Sequence, residues 1–407
     1  MNQFLLRGNR PADDPIFALN QEAAARRASG ESIVNATIGV LLHDDGSLAV
    51  LPSVVRAYAE IPPDEWASYA PISGVAAFLQ AVMDDVLAER PGLRAAATAV
   101  ATPGATGAIR HAVATFLHRD QALLTTSFHW GPYGIVADEQ ERRLATFEMF
   151  EPRGNADRIH LGALDRGLGE LIAAQGRALV CLNDPCHNPT GYSMSERDWL
   201  DAADILARHA ETAPVALVLD AAYATYAKRG LSGALCAFEK LLGRALLLVA
   251  WSASKSLTSY GMRVGALVAL VPDSDERRRV QAALGYACRG TWSNCNRGGM
   301  TMAARLLGDP LLRDQVSRER ARLVELLDER IRTFNEAATA RALRYPRYDG
   351  GFFVTVFSRD ARRTADELRA RGVFVVPQQG GLRIALCALP AREIPRLVEC
   401  LAEAERG

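Results

Sequence analysis

A chain of 407 residues exceeds the roughly 250–300 at which a single hydrophobic core stops growing, so two unequal domains are expected. Its 47 basic residues are matched by 47 acidic ones, which leaves no bulk field to draw it to nucleic acid or to an anionic membrane surface. Any anion it binds must be held by a few placed residues, and its seven scattered cysteines (181, 186, 236, 288, 295, 387 and 400), with no C-x-x-C pair, read as reduced thiols.

The N-terminal stretch "MNQFLLRGNRPADDP" lacks the apolar core of a signal peptide, and nothing approaches the ~18 continuous apolar residues of a membrane span, so a soluble, cytoplasmic chain is expected. Strands are predicted at "ATAVAT" (97–102), "ALLTT" (122–126), "ALVCLND" (178–184), "VALVLD" (215–220), "ALLLVAW" (245–251) and "GALVALV" (265–271). Segments near 104–118, 131–141, 158–175, 195–211 and 232–243 read as helices or crossovers between them. "SMSE", Ser193 to Glu196, places polar capping candidates just before an apolar-periodic run. Such alternation is what a mainly parallel sheet covered by helices requires.

From about residue 296 the pattern changes to long charged helices, then to the strand-like "GGFFVTVF" (350–357), "GVFVV" (372–376) and "LRIAL" (382–386), and to a final helix from about Ala391. This reads as a separate α+β domain whose sheet is completed by the N-terminal segment. No repeat, low-complexity tract or flexible linker intervenes, so the domains are expected to join through continuous helix. The expected boundaries are 1–48 for an N-terminal arm and part of the small domain, 49–298 for the large domain and 299–407 for the small C-terminal domain.

The ends of the predicted strands carry polar clusters: "TPGATG" at 102–107, "NDPCHNPTG" at 183–191, "DAAY" at 220–223 and "SASK" at 252–255. In open α/β sheets ligands bind outside the carboxyl ends of strands, so four such clusters can meet at one site. Singly, each is weak. "TPGATG" is equally an ordinary strand-to-helix turn or a phosphate cradle of backbone N–H groups, without the lysine of a Walker loop or the spacing of a dinucleotide fingerprint. "NPTG" alone is a turn signal, and a lone Asp after a strand also serves as a helix cap. In "SASKSLTSYGMRVG" (252–265), small and hydroxyl residues surround Lys255, with Arg263 eight positions on, directly after an apolar run. A lysine there is placed for use rather than for solvation.

Together these motifs resemble the fold-type I enzymes that use pyridoxal 5'-phosphate (PLP), specifically the class I aminotransferases of the aspartate/aromatic kind, from "VNATIGV" (34–40) to "GLRIAL" (381–386). The resemblance implies an α/β fold: a large PLP-binding domain with a mainly parallel seven-stranded sheet between helices, plus a smaller α+β domain. It implies that Lys255 forms the Schiff base with the cofactor and moves a proton at Cα, that Asp220 pairs with the ring nitrogen, and that Tyr223 and Asn188 bond the ring oxygen. Trp130, in "HWGPYG", would stack on the ring. Ser252, Arg263, Ala105 and Thr106 would hold the phosphate, many relatives having Gly where Ala105 stands.

Tyr69, in "ASYAPISG", resembles the tyrosine that reaches the phosphate in the neighbouring subunit, with Ser293 assisting across the same interface. A homodimer with shared active sites follows from that likeness. Arg383 would grip the substrate's α-carboxylate with Gly39 and Asn188, and Arg289, in "CRGTWSN", a side-chain carboxylate, Arg297 being the alternative cation. Trp130 and Trp292 would form an aromatic wall suited to large amino donors. Small-molecule amino and 2-oxo acids are then the partners, with neither nucleic acid nor membrane involved. The seven histidines show no metal spacing, His187 reads as lying beside the cofactor, and Asn188-Pro189 is a candidate cis peptide by the same likeness. The rival readings are elimination, decarboxylation or cyclisation at Cα on the same scaffold, and, from another class, a non-catalytic PLP-binding sensor, disfavoured by the expectation that the chain runs almost directly from residue 1 into the enzyme-like N-terminal segment without a DNA-binding module.

Overall fold

The computed structural model describes residues 15–87, 89–151, 154 and 156–406. Seven strands form its large sheet: β1 (Ala97–Thr102), β2 (Ala122–Thr126), β3 (Arg143–Phe147), β4 (Ala178–Asn183), β5 (Val215–Asp220), β6 (Leu246–Ser252) and β7 (Gly265–Leu270). Their order is β1-β7-β6-β5-β4-β2-β3, and only β7 runs antiparallel to its neighbours. Every residue of β4, β5 and β7 is buried, which is why these strands read as unbroken apolar runs. β3 is missing from the six strands named from sequence. It lies at the sheet edge with Arg143 exposed, so its pattern is short and partly polar where the central strands are continuous.

Helices connect the strands at Gly104–Phe116, Pro132–Glu139, Leu161–Gln175, Glu196–Ala210 and Ser232–Leu241. The "SMSE" signal resolves to a capping box: Ser195 Oγ accepts the Asp198 N–H, and the Asp198 carboxylate accepts the Ser195 N–H. The first of these helices packs with Val100, Leu123, Leu179, Val218 and Leu248 in a core beneath the strand ends.

The chain divides into two compact units. Of the described residues, the larger comprises those in Ala49–Asp328 with Pro346–Gly351, and the smaller those in Met1–Leu48 with Glu329–Tyr345 and Phe352–Gly407. The expected boundary at 298/299 is therefore displaced to 328/329, inside the 31-residue helix Pro310–Ala340. The physical reason is packing: helix Arg297–Gly308 lies against helices Pro52–Ala59, Pro63–Ala67 and Ala76–Leu87 of the larger unit.

Within the smaller unit, Val376–Gln378, Gly381–Ala385 and Phe353–Phe357 form an antiparallel sheet. The N-terminal strand Val34–Asn35 does not join that sheet, as expected from sequence, but pairs in parallel with Val373–Phe374 as a separate two-stranded ladder. "GVFVV" is thus split between two sheets.

Candidate active site

Register sets the site. Thr102 at the end of β1 pairs with Gly265 at the start of β7, which pairs with Ser252 at the end of β6; Asn183 at the end of β4 pairs with Asp220 at the end of β5. The polar clusters are thereby brought side by side at the carboxyl ends of parallel strands. One cavity there is lined by nine of the predicted residues: Ala105, Thr106, Trp130, Asn188, Asp220, Tyr223, Ser252, Lys255 and Arg263. Asn183, Ala222, Ser254 and Tyr260 complete the lining and were not singled out from sequence, although each lies inside or beside a motif that was.

Of the lining residues, Asp220 is 5% exposed; its Oδ2 accepts the Tyr133 hydroxyl at 2.6 Å and its Oδ1 accepts the Ala222 N–H at 3.2 Å. Burial raises its carboxyl above the usual range, and the two hydrogen bonds pull the other way. Among the described residues it makes no salt bridge, and it lines the cavity from a buried position.

Arg263 also lines the cavity. Its Nη1 donates to Ser254 Oγ at 3.2 Å and to the Tyr260 carbonyl at 2.8 Å, and its Nη2 to the Pro103 carbonyl at 3.5 Å. Its backbone sits in the left-handed region at φ 55°, a conformation costly for a side chain of this size and tolerated where a group must be aimed. Helix Gly104–Phe116 opens beside it. Gly104 has φ 68°, and a Cβ there would stand 2.6 Å from Arg263 Nη2; one on Gly265 would stand 2.5 Å from the Gly104 backbone. This close glycine approach leaves the first N–H groups of a 13-residue helix beside a guanidinium, an arrangement suited to an oxyanion.

Lys255, also on the lining, lies in the short helical turn Ala253–Ser256 capped by Ser252 Oγ. Its Nζ sits 4.5 Å from the Tyr260 ring centroid and 5.6 Å from that of Tyr223, and its carbonyl accepts the Tyr226 hydroxyl at 3.2 Å. Asn188 Nδ2 is 3.5 Å from the Tyr223 hydroxyl. The Asn188 N–H donates to Asn183 Oδ1 at 2.6 Å, and Asn183 Nδ2 donates to the Asp220 carbonyl at 2.9 Å, so Asn183 ties two cavity residues together. Both Asn188-Pro189 and Asp184-Pro185 are cis.

The remaining candidates lie elsewhere. Tyr69, 88% exposed, does not line this cavity, and its carbonyl is held by Arg297 Nη1 at 3.0 Å. Arg289 is exposed and donates from Nη1 to Ser293 Oγ at 2.7 Å. Trp292 does not line this cavity: its ring stacks on His111 at 4.2 Å, above Gly107, and packs against the core. His187 also lies off the lining, buried between Thr190 and Thr126, and burial holds its pKa down to about 3. In the smaller unit, Arg383 is buried with Nη2 donating to the Thr37 carbonyl at 2.5 Å and its guanidinium over the Phe353 ring at 4.7 Å. A Cβ on Gly39 would stand 2.4 Å from that ring. Among the described residues no cluster of histidine, cysteine or carboxylate side chains could hold a metal, and no helix is long and apolar enough to cross a membrane.

Residues 31–401 match the family described as Aminotransferase class I and II. An aspartate aminotransferase of Pseudomonas aeruginosa is 29% identical over 74% of this chain and 74% of its own length. A crystal structure of an aminotransferase from Anaerococcus prevotii is 29% identical, with a TM-score of 0.93 over 99% of this chain and all of that one. An aromatic-amino-acid aminotransferase from Burkholderia pseudomallei, solved covalently bound to pyridoxal phosphate, is 23% identical with a TM-score of 0.81 over the full length of both chains.

Proposed function

This chain belongs to the class I and II aminotransferases, and on that premise we propose that it exchanges the amino group between an acidic or aromatic amino acid and a 2-oxo acid such as 2-oxoglutarate, with PLP in the cavity around Lys255. The observation that carries this reading is the charge layout of the cavity. A buried carboxylate, a guanidinium with no carboxylate partner among the described residues and a lysine all line it. A molecule with a protonated ring nitrogen, an aldehyde and a phosphate complements all three.

PLP supplies an aldehyde that condenses with amines and a ring that withdraws electron density from Cα. The protein's part is to bind, orient and move protons. Arg263, Ser252, Ser254 and the N–H groups of Ala105 and Thr106 take the phosphate, and Asp220 holds the ring nitrogen in its protonated form. Trp130 would stack on the ring, and Tyr223 and Asn188 would donate to its oxygen. Lys255 Nζ would anchor the group and, as an amine, would carry a proton to and from the substrate Cα. Arg383 and Gly39 take the α-carboxylate, and Arg289 a side-chain carboxylate. Residues 49–328 with 346–351 then constitute the cofactor-binding domain.

The active species is a homodimer in the cytoplasm, its sites completed by Tyr69, Ser293 and Arg289 of the second copy. Support comes from the exposure of Val55, Tyr58, Trp66, Tyr69, Ile72 and Tyr286, large apolar side chains of the larger unit that a monomer leaves in water. The test is to mix the PLP-loaded protein with a panel of amino acids and follow conversion of the cofactor from its pyridoxal to its pyridoxamine absorbance. Conversion by glutamate, aspartate or an aromatic amino acid is expected. Conversion by none, or covalent PLP and turnover in Lys255→Ala, would overturn the reading.

A further inference from the structure

We propose that Tyr133 is a positioning residue: through its hydroxyl it orients the Asp220 carboxylate for the ring-binding end of the cavity, and through its ring it fixes Trp130 beside the same space. The inference rests on the PLP reading above. Tyr133 is fully buried in helix Pro132–Glu139, 87 positions from Asp220 in sequence. Its hydroxyl donates to Oδ2 at 2.6 Å while the Ala222 N–H occupies Oδ1, so both carboxylate oxygens are oriented by neutral donors. The Tyr133 N–H donates to the Trp130 carbonyl at 3.0 Å, and the two rings meet edge to face at 5.5 Å and 86°.

The choice of donor has a chemical consequence. A lysine, arginine or protonated histidine at this place would neutralise Asp220 and abolish its attraction for a cationic ring nitrogen. A phenol donates without formal charge, and burial raises its pKa well above the ordinary tyrosine value, so it stays a donor at any working pH. Phe would fill the same volume with no polar group to satisfy, so the hydroxyl is the informative atom. Tyr133 leaves the negative charge for the ligand and removes only the carboxylate's freedom to turn.

The experiment titrates apo-protein with PLP. If the wild type fails to bind PLP, the functional reading itself is wrong; the tests below presuppose that it binds. Tyr133→Phe is expected to raise the Kd for PLP by roughly ten- to a hundredfold, as loss of a hydrogen bond to a charged group does. In an Asp220→Asn background the same change is expected to shift Kd by less than about twofold, because no carboxylate remains to be oriented. Equal affinities for wild type and Tyr133→Phe, or a loss that is undiminished in the Asp220→Asn background, would overturn the proposal, since a role in packing alone gives additive effects. Should Tyr133→Phe fail to fold, 3-fluorotyrosine at position 133 makes the phenol a stronger donor in the same volume. It must then change PLP affinity and the pH at which the bound-cofactor absorbance titrates, and unchanged values exclude the role.

Discussion

Lys255 Nζ lies over the ring of Tyr260, 4.5 Å from its centroid, within the range where an ammonium is attracted to an aromatic face. The contact gives the lysine a defined resting place beside the cavity. Tyr260→Phe keeps the face and is expected to load PLP within about twofold of the wild-type rate. Tyr260→Leu removes it and is expected to slow loading by roughly 2- to 30-fold, the equivalent of about 0.5–2 kcal/mol. Stopped-flow absorbance after adding PLP to apo-protein measures both; equal rates for Phe and Leu would show that the ring face does nothing.

Gly104 combines a positive φ with a neighbour that a side chain would strike, Arg263 Nη2 at 2.6 Å. Gly104→Ala is expected to destabilise the fold by about 1–3 kcal/mol and to weaken PLP binding at least about tenfold by displacing the guanidinium. Gly92→Ala is the control, because nothing lies within 4 Å of the added methyl and the residue is helical, where alanine is favoured. Denaturant melts and PLP titrations of both variants separate a cavity effect from a general glycine effect.

What could be read from sequence follows from what local pattern encodes. Ser252, Lys255, Asp220 and Asn188 stood out because each ends a fully apolar strand or follows one closely, and a polar group there contradicts its surroundings. Tyr133 and Asn183 lay inside quoted motifs but had no legible role. Their partners are set by register and by contacts spanning up to 87 residues, which no local spacing reports. The unit boundary was misplaced for a related reason: helix Pro310–Ala340 is continuous in composition, and only packing divides it. The stack of Trp292 on His111, a residue far away in the chain, is likewise invisible to local pattern.

Arg289 is exposed and steadied by Ser293, whose backbone lies in the left-handed region at φ 66°. If it takes a side-chain carboxylate, Arg289→Ala lowers the rate of the glutamate half-reaction by roughly 10- to 100-fold, the loss of a charge-assisted pair, and leaves an aromatic donor within about threefold. Ser293→Ala gives a smaller loss with the same selectivity. Single-turnover absorbance with glutamate and with phenylalanine decides it: parallel losses for the two donors would assign Arg289 a structural role instead.

Asp184 offers a test of the loop behind the site that is independent of any ligand. It is 4% exposed, and burial pushes its carboxyl up to about 7, although its oxygens accept the Met194 N–H at 2.7 Å and the Trp199 Nε1–H at 2.8 Å. The folded state therefore holds a proton that the unfolded chain, with an ordinary carboxyl near 3.8, has already released. Below about pH 4 both states are protonated and the contribution to stability is complete. Between about pH 4 and 7 the folded state binds more protons, so stability falls with rising pH by up to about 1.4 kcal/mol per unit from this group. Above the folded value the loss levels off. Asp184→Asn keeps one acceptor oxygen and cannot titrate, so it costs one hydrogen bond at low pH and gains on the wild type as pH rises. Urea melts from pH 5 to 8 on both proteins measure the difference; parallel pH profiles would mean that Asp184 is ionised in the folded protein and that its two donors outweigh its burial.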